Sequence, residues 1–263
     1  MDELIINADD YGQTPACTQA ILEAFRLGLI TDTTMVTNSP CFAAAAAQLK
    51  AAGLADRAGI HLNLTEGEPL TDGIRGNEKF VTGGAFNKKV MRRAGMFWVL
   101  TARDKRDVRA EFRAQIARAA AAGIAPTHAD SHHHVHTRPC IAPLFAQVCR
   151  ECGIEKVRIH RNAGIASPLK RLLIGRYNSW LRRQGFVTTD LFLAAPDVPG
   201  CTAPGIAELM VPPEYAAAGV LIDRARRQCT DGRTAGVGAP LRLAAGAADG
   251  IERLTYGALA RRR

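Results

Sequence analysis

Aromatic residues are scarce, at 6% of 263. So few rings exclude the stacking platforms that hold single-stranded nucleic acid. No apolar run reaches the roughly 18 residues of a membrane-spanning helix. The best candidate, Ala43–Ala47, is alanine-rich helix. A basic leader followed by a long apolar stretch is also missing: acidic Met1-Asp2-Glu3 runs straight into Leu4-Ile5-Ile6. The seven cysteines are odd in number and scattered. Reduced thiols and a cytoplasmic location are therefore expected.

Acidic residues are absent from one long stretch. From Lys156 to Thr189 there are eight basic side chains and no acidic one. The formal charge of +9 is uneven, with +1 in residues 1–149 and +8 in residues 150–263. This pattern fits either a solvated face or an anionic partner. No recognised nucleic-acid module accompanies it, so no nucleic-acid partner is expected. With 47% hydrophobic and 22% charged residues, the chain is otherwise ordinary globular protein.

Strand and helix patterns alternate along the first two thirds. Leu4–Ala8, Thr33–Asn38, Ala58–Leu64, Thr127–Asp130 and Lys156–His160 read as strands. Thr14-Pro15 and Ser39-Pro40 read as caps followed by proline, and Gly28 and Gly53 end the two helices they open. Val90–Leu100 and Asp104–Ala122 are helical in spacing, the latter with Phe112, Ile116 and Ala119 on one face. Thr137 reads as the cap of a further helix. Leu169–Phe186 sets Leu169, Leu172, Leu173, Tyr177, Trp180 and Leu181 at helical intervals. Residues 65–87 read as a long loop. Ile206–Val211 is a late strand, and Thr234–Asp249 is poorly defined. The alternation signifies parallel βα units in a single α/β domain, as a barrel or an open doubly wound sheet.

In such folds the chemistry sits where strands end. The first strand ends on Asp9 and Asp10, which can divide metal binding from proton transfer. The third carries His61, with Asn63 on the same polar face. The fourth runs into His128-Ala129-Asp130-Ser131-His132-His133-His134-Val135-His136, a ligand-rich run. If that run stays extended, Asp130, His132 and His134 share one side. Imidazoles suit zinc and similar ions, and carboxylates admit harder ones. The remaining histidines would orient ligands or move protons. Arg158 and His160 close the fifth strand. Cys149-Arg150-Glu151-Cys152 has metal or redox spacing but stands alone inside a helix.

These segments resemble the YdjC-like carbohydrate deacetylases, which include chitooligosaccharide and hopanoid-biosynthesis deacetylases. The resemblance rests on Asn7-Ala8-Asp9-Asp10-Tyr11-Gly12, Gly28-Leu29-Ile30-Thr31, Gly59-Ile60-His61-Leu62-Asn63-Leu64-Thr65, Pro69-Leu70 and Pro126–His136, in order over about residues 3–160. It implies a distorted (β/α) TIM-like barrel spanning residues 1–263 as one domain. It also implies metal-dependent removal of an N-acetyl group from an amino sugar, oligosaccharide or sugar-lipid. Asp10, His61 and His132 would hold one divalent ion, magnesium or alternatively zinc. Asp9 falls where the general base lies, and Arg158 at an arginine near the site.

One segment departs from the family pattern. Glu208-Leu209-Met210-Val211-Pro212 carries proline where the family has a late histidine. His134, His136 and His160 then stand as proton-transfer or substrate candidates, with Asp130 as a group that orients a ligand histidine. Two other readings are a sugar-binding relative without turnover and a metal-dependent phosphoesterase. A homodimer and a peripheral membrane contact through Leu169–Arg183 are left open.

Overall fold

Leu4, Ile5, Ile6 and Ala8 are fully buried, so β1 (Glu3–Tyr11) is covered on both faces. Such a strand belongs at the centre of a parallel sheet flanked by helices. The computed structural model describes residues 1–89, 99–165, 167–215, 221–223 and 250–260.

α1 (Pro15–Arg26) follows β1, with the Thr14 side chain accepting the Cys17 N–H and Pro15 in the first turn, as the sequence suggests. β2 (Asp32–Met35), α2 (Phe42–Ala51) and β3 (Ala58–Leu62) repeat the unit. Ser39-Pro40 does not cap α2. The Ser39 hydroxyl instead accepts the Cys41 N–H in a turn before the helix. The expected loop at 65–87 contains α3 (Asp72–Arg75) and a hairpin of β4 (Val81–Thr82) and β5 (Ala85–Phe86). α4 (Ala102–Ala121) opens on a Thr101–Asp104 capping box and buries Val108, Phe112, Ile116 and Ala119. Then come β6 (Ala129–Ser131), α5 (Ala142–Glu151), α6 (Pro168–Arg183), β7 (Leu191–Ala194) and β8 (Ile206–Val211). A second hairpin, β9 (Pro213–Tyr215) with β10 (Leu221–Asp223), precedes β11 (Glu252–Arg253). The expected tail at Thr234–Asp249 and nearly all of the helix at Val90–Leu100 lie outside the described residues.

Thr137 does not cap a helix. Its hydroxyl donates backwards to the His134 carbonyl, and α5 starts only at Ala142. All described cysteines are free, with Cys149 buried and Cys152 exposed on the same helix end. No described helix is long and apolar enough to cross a membrane.

The main sheet runs β6-β3-β2-β1-β8-β7 with every pair parallel, and β11 lies along the start of β1. This is a half-barrel and not the complete TIM-like barrel expected. The strand anticipated at Lys156–His160 is reduced to single bridges, Ala129 to Val157 and Lys156 to Val187. Two asparagines explain the interruption. Asn178 bonds both the N–H and the carbonyl of His160. Asn162 bonds the Asp190 carbonyl and the Phe192 N–H. Their side chains satisfy backbone groups that a ladder would otherwise pair.

The same asparagine sets the direction of α6. Ile174, Asn178 and Leu181 face inward, while Leu169, Leu172 and Leu173 are 66%, 61% and 45% exposed. Docking Asn178 on the seam turns the leucine-rich side of the helix outward.

At the other end of the sheet, Asp32 accepts the Tyr256 N–H and is fully buried. Burial pushes its carboxyl from 3.8 up to about 7. A raised acid pKa means that the folded state holds the proton more tightly. Its contribution to stability is then fully present below about pH 4 and lost as pH rises towards about 7. Asp32→Asn is expected to match wild type near pH 4 and to exceed it increasingly up to pH 7 in urea denaturation. A gap between the two proteins that does not change with pH would contradict this.

Candidate active site

The first strand ends in a bulge. Its register with β2 shifts between Ala8 and Tyr11, and Asp10 takes a φ of 74°. Positive φ is uncommon outside glycine but tolerated by aspartate, and it is found where a strand must re-aim a side chain. Asp9 and Asp10 consequently serve different partners, both nearly fully buried.

Asp10 faces two imidazoles. Its Oδ1 lies 2.7 Å from His132 Nδ1 and 3.3 Å from His61 Nε2. His61 comes from β3, where it pairs in register with Asp130 of β6. That pairing sets His61 Nδ1 2.5 Å from Asp130 Oδ1, and Thr34 of β2 donates to the other Asp130 oxygen at 3.2 Å. Asp130 therefore fixes the ring and directs Nε2 towards Asp10. A carboxylate behind a histidine is the usual support of a metal ligand. Donor atoms of Asp10, His61 and His132 lie within 4.8 Å of one another. One carboxylate and two buried imidazoles form a donor set that fits a single divalent ion.

Burial disfavours the charged form of Asp10, but hydrogen bonds from His132 and His61 outweigh it and hold the carboxyl well below the usual range. Burial alone would lower His61. The Asp130 charge and the hydrogen bond to Asp10 instead lift it to about 10. His132 is likewise raised, with its bonds to Asp10 and Glu66 outweighing burial. Protons on these rings thus balance the carboxylates where a cation would otherwise do so.

Asp9 is held in an arginine clamp, with a carboxylate oxygen within 4.8 Å of donor atoms of His61 and Asp130. Arg158 NH1 and NH2 donate to its two oxygens at 2.8 and 2.7 Å, and Asn7 adds a bond at 2.9 Å. The Arg158 charge and these bonds outweigh burial and keep the Asp9 carboxyl below its ordinary value. Arg158 has no exposed surface. It also reaches Asp130 at 2.5 Å and Glu208 at 2.6 Å, and its guanidinium lies 4.8 Å from the centre of the Phe192 ring. Tyr256 donates to Glu208 at 2.5 Å and stacks on His128, whose Nε2 meets Asn7 Oδ1 at 3.2 Å. Gly59 makes room for His128: a Cβ there would sit 2.5 Å from the ring.

The histidine run is not extended. His133 and His134 have φ of 51° and 53°, and the chain coils through His132–Thr137. Asp130, His132 and His134 therefore do not share one side. His132 turns to Asp10. His134 and His160 line a cavity of about 520 Å³ with Arg161, Lys170, Phe192 and Met210. His136 is fully buried, bonded to Ser131 and packed on Phe145. A second cavity, of about 510 Å³, opens on the other side of His132, between Asn38, Asn63, Glu66, Lys88 and His133. Glu66 lies 3.3 Å from His132 Nε2 and 3.7 Å from His133 Nε2.

Ala8 of β1 pairs with Val211 of β8, so Asp9 and Pro212 each follow the last paired residue of these two neighbouring strands.

Sequence reasoning did not assign roles to Asn7, Thr34, Glu66, Glu208 or Tyr256. Asn7 and Glu208 lie in quoted segments, and a polar residue on an apolar buried strand was the available signal. Tyr256 follows a stretch without recognisable pattern, and nothing local marks it.

The model of the YdjC-like protein family matches residues 3–228. A carbohydrate deacetylase of Brevibacillus brevis is 36% identical over 155 residues, covering 57% of this chain and 56% of that protein. A chitooligosaccharide deacetylase of Yersinia pestis is 38% identical over 160 residues, covering 60% of each. The chain thus aligns with little more than half the length of these curated relatives. The crystal structure of a proposed cellobiose-phosphate cleavage protein from Enterococcus faecalis V583 superposes with a TM-score of 0.72 at 23% identity, over 99% of both chains. At that identity the likeness concerns the fold alone.

Proposed function

The chain belongs to the YdjC-like protein family, and on that premise we propose that it hydrolyses the N-acetyl group of an acetylated amino sugar, with one divalent ion held by Asp10, His61 and His132. The observation that carries the reading is the convergence of these three donors with Asp130 behind His61 and clamped Asp9 beside them. Magnesium is the ion suggested by the resemblance, and the two imidazoles also favour zinc.

An amide carbonyl is a poor electrophile and water a poor nucleophile. A divalent ion in this position supplies Lewis acidity to the carbonyl and lowers the pKa of water. The protein's own groups do the rest. Asp130 and Thr34 hold His61 in one orientation. Arg158 and Asn7 hold Asp9 in one rotamer beside that ion site. Asp9 accepts the proton from the attacking water and delivers it to the amine nitrogen as the C–N bond breaks, giving acetate and the free amino sugar. A carboxylate kept weakly basic by Arg158 releases that proton readily. This shuttle needs no histidine at position 212. Burial and the Arg158 charge hold His134 down at about 3, so it meets the substrate as a neutral imidazole that hydrogen-bonds the sugar. His160, in the same cavity, does likewise. Asp9, with Arg158 as its clamp, is the group on which turnover depends.

The experiment is acetate release from N-acetylglucosamine oligomers by the ion-loaded protein. Asp9→Asn is expected to lower kcat by about 10²–10⁴ while ion affinity stays within a few-fold of wild type. Undiminished acetate release by Asp9→Asn would refute the shuttle. Phosphate release from phosphoesters without acetate release would replace the reading with the phosphoesterase one.

A further inference from the structure

α6 exposes a face that the site does not use. Leu169, Leu172 and Leu173 lie on it at 66%, 61% and 45% exposure. Helical spacing adds Arg176, half-buried Trp180 and Arg183 to the same side. A shallow surface hollow runs along it between Pro168, Leu172, Arg176 and Arg183. Lys170 and Arg171 flank the leucines, and no acidic residue occurs between Lys156 and Thr189. The amino-terminal end of the same helix borders the cavity lined by His134 and His160, because Ser167 and Lys170 line it too.

We propose that this face of α6 docks the protein on an anionic lipid bilayer, with the cavity mouth beside it turned towards the headgroups. The charge pattern selects the partner. Three exposed leucines, ringed by arginine and lysine, have the composition of a helix lying in a bilayer interface. The leucines enter the acyl boundary while the guanidiniums stay with the phosphates. A second copy of the chain fits poorly: a two-fold contact through this face would oppose Arg176 and Arg183 to their own copies, with no acid on the segment to pair them. Docking is independent of the reaction proposed above. Joined to it, docking presents the site to amino sugars displayed at a membrane surface.

The test is sedimentation of the full-length protein with vesicles. Phosphatidylcholine vesicles containing phosphatidylglycerol are expected to bring the protein down, and phosphatidylcholine alone to leave it in solution. Added salt should release it, since the attraction acts over a Debye length of about 8–10 Å at ordinary ionic strength. Each basic side chain near such a surface contributes about fivefold. Arg176→Glu with Arg183→Glu is therefore expected to reduce binding by more than about 25-fold. Leu172→Glu with Leu173→Glu should abolish it. These four positions line neither cavity of the site, so both variants should keep wild-type melting and wild-type acetate release from soluble substrate. Failure to sediment with anionic vesicles would overturn the proposal, as would unchanged binding by the arginine variant. A soluble dimer abolished by Leu172→Glu, without vesicle binding, would assign the face to self-association. Capture of an acidic protein in place of lipid would equally overturn it.

Discussion

His132→Ala is expected to abolish stoichiometric divalent-ion binding and, with it, acetate release. His132 supplies one of three donors, and among the described residues no other candidate ligand group includes Asp10. Glu66 and His133 sit on the far side of the same ring. Losing a supporting carboxylate typically costs about 10–100-fold in ion affinity, so losing a ligand should cost more than that. Asp130→Asn supplies the graded comparison. It preserves shape but weakens the hold on His61, and affinity is expected to fall by about 10–100-fold. Isothermal titration with zinc measures both. His132→Ala binding zinc as tightly as wild type would remove His132 from the ion site.

The second large effect is on stability. Arg158 is a fully buried cation in contact with Asp9, Asp130 and Glu208, all buried. Replacing it with methionine fills much of the space but leaves three buried carboxylates with only the His61 ring, bonded to Asp130, to offset them. Breaking a buried ion pair on one side costs about 3–5 kcal/mol, a large part of the total for a typical domain. Arg158→Met is therefore expected to unfold well below the wild-type urea midpoint, or to fail to fold. Neutral amide substitutes should recover part of the loss. Adding Glu208→Gln and Asp130→Asn to Arg158→Met removes two of the carboxylate charges, and the triple variant should exceed the single one. If Arg158→Met alone retains the wild-type midpoint, the arginine is not the electrostatic centre of the fold.

The readable and unreadable parts of the molecule divide on physical grounds. Thr14-Pro15, the strand expected at Thr33–Asn38 and found as β2 (Asp32–Met35), and the Phe112 stripe act through neighbours one helical turn or one strand step away, so local pattern reveals them. The ends of β1, β3 and β6 were also legible, because polar residues on otherwise apolar buried strands mark them. His134 was misplaced because two successive left-handed residues, His133 and His134, coil a segment whose composition suggests nothing of the kind. The direction of the leucines of α6 was not legible, because periodicity gives the spacing of a stripe and not which way it faces. Asn178, deep within the same helix, decides the direction by bonding the His160 backbone. That bond joins residues 18 apart, and the one from Tyr256 to Glu208 joins residues 48 apart. Neither has a local signature. The bonds of Asn178 and Asn162 occupy backbone groups where the strand at Lys156–His160 was expected.

The most direct measurement is an anomalous difference map from crystals grown with zinc. One peak is expected, within about 2.0–2.2 Å of an Asp10 oxygen, His61 Nε2 and a ring nitrogen of His132. A peak bound instead by Glu66 and His133, or none near Asp10, would contradict the account.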